Sequence, residues 1–135
     1  MKFDLKLHTK RFRDESGAVT VEAVLWVPFF IIFMTLIADV ALIFHGQARA
    51  LRIVQDANRN FSAGIYTSAQ ETSDVIVARL AAENLTSNAQ AVTQLSGGII
   101  TSVVQVPTGD LDVVGVLTSL ASIDMQISSQ HVMEN

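Results

Sequence analysis

Hydrophobic and polar residues are distributed unevenly along this chain. Residues 1–17 are polar and charged, and the character changes abruptly at Gly17. From Ala23 to Phe44 a single charge, Asp39, interrupts twenty-two residues. As a helix that run spans about 33 Å, enough for a hydrocarbon core of about 30 Å. Pro28, near its start, removes one backbone hydrogen bond and is expected to kink the helix, which neighbouring helices in a membrane tolerate. Apolar positions continue at Ala48, Leu51, Val54 (or Ile53), Ala57 and Phe61, spaced by three and four, with Arg52 and Asp56 set to pair across one turn. Gly64 is a stop signal. The pattern predicts one helix over 18–62, transmembrane over about 23–44, and about 65 Å long.

Beyond it, Ser68-Ala69-Gln70-Glu71 has the form of a capping box. Val77, Ala81, Leu85, Ala89, Val92 and Leu95 then mark one apolar face at helical spacing, which predicts a second helix packed on the first and closed by Gly97-Gly98. The period changes at Ile99, where a β-branched run to Val106 predicts a strand stopped by Pro107. Thr108-Gly109-Asp110 is turn chemistry. Residues 111–121 fit either a helix capped by Asp110, the preferred reading, or a strand. Ile123, Met125, Ile127 and Ser129 alternate with polar neighbours and predict a last strand through about Val132. The fold class is therefore α+β: a long N-terminal transmembrane helix continuing into a small exported domain, 63–135, with a second helix and a short β-sheet.

Length and composition narrow the classes of function. At 135 residues there is room for one domain. A net charge of −4, one tyrosine and one tryptophan give no basic, aromatic-lined stripe, so nucleic acid is not a predicted partner. The absence of cysteine excludes disulfides, thiolate metal sites and a cysteine nucleophile. The chain has no phosphate-cradling glycine loop, no HExxH and no GxSxG. His8, His45 and His131 stand apart from one another, and Asp110, Asp112 and Asp124 do not have the spacing of a calcium loop. No enzyme activity, cofactor or metal is predicted.

Three readings compete for the apolar run. It is a buried helix of a soluble protein, or a signal peptide cut after Ala50, since Ala48-Arg49-Ala50 has the small-x-small form, or a retained anchor. Its length favours the anchor, because signal-peptide cores run to roughly 7–15 residues and soluble core helices rarely go so long without charge. Five Lys/Arg residues precede the run, whereas Arg49, Arg52 and Arg59 follow it, so the N-terminus is predicted to be cytoplasmic and the remainder exported. Glu22, at the inner end of the run, is costly to bury without a partner and is a functional candidate on that ground. The bland alternative places it, solvated, in the headgroup region, where the helix dipole favours its charge. Asp39 lies about four turns further on. It either reaches water near the outer interface or makes a subunit contact.

A basic leader, Gly17, the small residue Ala18, a glutamate five residues into the remaining chain and a long apolar helix together resemble the processing site of type IV prepilins. The run GAVTVEAVLWVPFFIIFMTLIADVALIFHGQARALRIVQDANR resembles more narrowly the TadE-like proteins, pseudopilins of the tight-adherence (Flp) pilus system. The likeness rests on Gly17, Val21-Glu22, Pro28, Asp39, Phe44, Gln47-Ala48 and Ala57-Asn58-Arg59, and covers about a third of the chain. Asn58 and Asn60 depart from the alanine- and glycine-rich pattern usual there.

The resemblance implies a minor pilin in the bacterial inner membrane, its C-terminal domain periplasmic, which stays at the base of the filament or enters it. It implies cleavage between Gly17 and Ala18 by a prepilin peptidase, with Glu22 and Asp39 in subunit registry and assembly. The partners it implies are membrane lipid, other pilins or pseudopilins, and the pilus assembly machinery. The alternative is an uncleaved, single-pass, membrane-anchored periplasmic scaffold or binding protein of the cell envelope.

Overall fold

The computed structural model describes residues 15–111 and 124–134, with side chains from residue 19 onward. The first helix, α1, runs Glu15–Ser62 and passes through Pro28 without interruption. Its end has a direct backbone cause. Gly64 takes φ +74°, the Gly64 N–H bonds to the Phe61 carbonyl at 3.0 Å, and the Ile65 N–H bonds to the Asn60 carbonyl at 2.9 Å. This pair of reversed bonds satisfies carbonyls that the last turn would otherwise leave open.

The second helix, α2, runs Ala69–Ala82. The expected capping box opens it: Ser68 Oγ accepts the Glu71 N–H at 3.1 Å. The Glu71 carboxylate reaches back one residue further than the standard box, to Thr67, accepting its N–H and its hydroxyl at 2.7 Å each. Those two bonds, the backbone one foremost, lower the Glu71 pKa from the ordinary value of 4.5.

The helix predicted to reach Leu95 stops thirteen residues earlier. Asn84 adopts φ +53°, its N–H bonds to the Ala81 carbonyl, and the Leu85 N–H bonds to the Leu80 carbonyl, both at 3.0 Å. An asparagine tolerates this left-handed position, and Leu85 then folds back into the core beside Leu80. Residues Gln90–Ser96 form a strand, β1, instead. Val92 and Leu95, whose spacing fitted a helix, are exposed, and the inward residue of β1 is Thr93. Gly97-Gly98, expected as a helix stop, is a two-residue hairpin turn with φ +60° and +77°, the conformation such hairpins require.

Strand β2 is Ile99–Pro107, a 3₁₀ turn follows at Thr108–Asp110, and β3 is Asp124–Val132. The sheet is antiparallel in the order β1-β2-β3, with Val92 opposite Val103 and Val103 opposite Ser128. The α+β class thus holds, with a long N-terminal apolar helix, a second helix and a three-stranded sheet. The choice between helix and strand for 111–121 falls outside the described residues from position 112 on.

From residue 34 onward, one stripe of α1 is turned inward: Asp39, Gly46, Ala50, Ile53, Val54, Ala57, Asn58 and Phe61 are buried. Ala48, expected on this face, is exposed, and Ala50 takes its place. Ala50, Val54 and Ala57 share a core with Ile76 and Leu80 of α2 and with Val104, Val106 and Ile127 of the sheet. Gly46 leaves the space that Leu111 fills, since a Cβ there would lie 2.7 Å from Leu111 Cδ2.

A buried line of polar groups crosses this core. The Asn58 amide donates to the Ser129 carbonyl at 3.2 Å, and the Ser102 hydroxyl donates to Asn58 Oδ1. With its proton so used, Ser102 Oγ accepts from the Thr93 hydroxyl at 2.8 Å. The Thr93 N–H in turn donates to Ser73 Oγ of α2 at 2.9 Å. Both helices and all three strands are joined by four side chains. A line this well satisfied specifies one arrangement of the layers, because any slip leaves buried polar groups unpaired.

Candidate functional site

The candidate site is the N-terminal part of α1. Gly17 and Ala18 lie in its first turn, and Glu22 follows one turn after Ala18. Glycine is among the poorest helix formers, so Gly17 marks a weak point in that turn. Glu22 is exposed among exposed aliphatic residues, including Val19, Val21, Val24 and Leu25, the last 72 % accessible.

One turn beyond Glu22 stands an aromatic trio. Trp26 and Phe29 meet edge to face with ring centres 5.7 Å apart, and Phe30 lies 6.4 Å from each. All three rings are exposed. Amphipathic rings gather at the boundary between headgroups and hydrocarbon, so Trp26 next to Glu22 is the arrangement expected at one edge of a membrane span. The sequence reading passed over this trio, although Trp26 is the chain's one tryptophan.

The apolar stretch is not a core helix. In its most apolar window only 6 % of the residues are buried, and α1 is the one described helix long and apolar enough to cross a membrane. Exposure changes at Thr35 and Leu36, which are half-covered, and Asp39 is 0 % exposed. Asp39 also makes an interaction within the chain. It therefore does not reach water within the single chain. Two of the expected site residues thus differ sharply in setting: Glu22 is open to whatever surrounds the helix, and Asp39 is enclosed by its own chain.

The α+β unit has its own polar cluster. Arg49 pairs with Glu83 at 2.8 Å on the surface, and the Asp110 carboxylate accepts from the Thr86 hydroxyl, which itself receives the Asn88 N–H at 3.0 Å. Asp110 is thereby a loop-fixing group. Arg52 and Asp56 form no ion pair among the described residues.

A long, exposed apolar helix followed by a small α+β unit defines the class: the helix fits a membrane-anchored, pilin-like protein. The family model described as TadE-like protein matches residues 17–59, about a third of the chain, so over that segment the chain is similar to TadE-like proteins, a likeness that supports an association with the Tad pilus. The matched segment holds Gly17, Ala18, Glu22 and Asp39, and it ends one residue after Asn58. No curated protein and no solved structure matches this chain.

Proposed function

We propose that this chain is a minor pilin or pseudopilin that helps assemble, prime or anchor an adhesive filament of the Tad (Flp) type. The observation that carries the reading is the coincidence, inside the TadE-like segment, of an unburied apolar helix with an exposed carboxylate at its N-terminal end. In this reading the basic leader and the charge bias hold the precursor in the inner membrane with its N-terminus in the cytoplasm. A prepilin peptidase cuts between Gly17 and Ala18. Ala18 then carries a new positive amine at the head of a helix, where the backbone dipole disfavours it. Glu22 is the nearby group that offsets this charge.

Within one subunit Ala18 and Glu22 are a turn apart; between neighbours, the Glu22 carboxylate meets the amine of the next subunit. Such a pair offsets part of the cost of holding two charges in a low-dielectric bundle and sets the axial register of the helices. Asp39, closed inside its own chain, contributes by shaping the subunit. Glu22→Ala and Glu22→Gln are expected to leave membrane insertion intact and to impair piliation. Normal piliation with both variants would remove the registry role.

The cleaved-signal alternative fits poorly with the packing. A cut after Ala50 would take Ala50 out of the core and Gly46 away from Leu111. The uncleaved scaffold protein remains the second reading, and processing at Gly17 separates the two.

A further inference from the structure

The helices of the exported unit cover one face of the sheet. The side chains of the other face are exposed or half-exposed, and its composition is unusual for a surface. Fourteen side chains point outward, alternating with the inward residues. Their rows run across the strands: Gln90, Gln105 and Gln126; Val92, Val103 and Ser128; Gln94, Thr101 and Gln130; Ser96, Ile99 and Val132. Asp124, opposite Pro107, is the one charge. From Ala18 onward the chain has four basic and ten acidic residues, so its surface elsewhere repels a second copy. This face does not.

We infer that the open face of the sheet is a self-association surface, which pairs with the same face of a second copy about a twofold axis near Val103. The argument is one of self-complementarity. A twofold contact places each group opposite a group from the same patch, so an acidic or basic patch repels its image. Primary amides and hydroxyls do not, since each both donates and accepts. Val92 and Val103 form an apolar middle row, and the glutamine rows on either side form a neutral polar rim. Depletion of charge around an apolar centre is the usual anatomy of an interface. Val92, Ile99 and Val132 are exposed on this face, at 55 %, 44 % and 68 %.

Three strands of seven to nine residues give a footprint of about 400 Å² at ordinary strand spacing, below the roughly 800 Å² per partner of standard complexes. The dimer is therefore weak and is best trapped. The chain has no cysteine, so single substitutions report cleanly. Full-length Val103→Cys and Gln105→Cys, in native membranes treated with a short bismaleimide, are expected to give a product of twice the subunit mass. Ala78→Cys, on the exposed side of α2, is expected to give at least tenfold less. Adding Val103→Lys to Gln105→Cys should cut the product at least tenfold, with the circular dichroism spectrum unchanged; Ser128→Lys serves if Val103→Lys does not fold. Absence of product from both face cysteines, equal product from Ala78→Cys, or a product of another mass, meaning a different protein covers the face, would each overturn the inference. None of these outcomes depends on whether Gly17 is cleaved or Glu22 sets register.

Discussion

Asn58 carries more of the fold than its surroundings suggest. It is fully buried, and its amide and carbonyl serve β3 and β2 at once. Asn58→Ala leaves the Ser129 carbonyl and the Ser102 hydroxyl without their partner and opens a cavity, so a loss of about 2–4 kcal/mol is expected. Unfolding of the full chain in detergent, followed by circular dichroism, measures it. Asn60→Ala removes a half-buried bond to Tyr66 at 3.3 Å and should cost about 0.5 kcal/mol. The sequence marked Asn58 as a departure from the TadE-like pattern it resembles and could say no more. Its partners lie 44 and 71 residues away, and single-residue chemistry does not reveal which strand will arrive opposite a helix position. Glu71 was legible, because its partners are local. Its pKa is lowered, so its contribution is complete above the ordinary value of 4.5 and is lost as pH falls through the lower folded value. Melting of Glu71→Gln against the parent should show a gap at neutral pH that closes in acid below pH 4.5. A gap that persists in acid would assign the effect to packing.

At the scale of elements, local signals succeeded where the backbone chemistry was short-range. Ser68 and Gly64 named a helix start and a helix end, a β-branched run named β2, and apolar–polar alternation named β3. Spacing by three and four misled over 85–95, because Asn84 is a quieter stop than glycine, Val92 points away from the core, and Leu95, on the inward side of β1, lies exposed near its end. Ser68→Ala is expected to destabilise the α+β unit by about 1 kcal/mol through loss of the α2 cap. Gly46→Val forces a branched side chain against Leu111 and should cost about 1–3 kcal/mol. Leu111→Ala in the same chain should recover part of that cost, whereas distant pairs add. Strict additivity of the two changes would contradict the contact between α1 and the turn after β2.

At the scale of the whole chain, hydropathy made the long apolar helix legible: twenty-two residues with one charge, preceded by a basic segment. It did not show that the inward stripe of α1 begins at Asp39, inside that apolar run, which depends on residues distant in sequence. Hydropathy alone treats the run as uniform, yet its first part is open on all sides and its last part is half covered. The central claim is that the apolar helix stays attached to the exported unit and begins, after processing, at Ala18. Intact mass of the protein extracted from membranes tests this most directly. The account predicts a polypeptide short by the seventeen leader residues and no others. A soluble species beginning at Leu51, or a membrane species that still carries Met1 to Gly17, would contradict it.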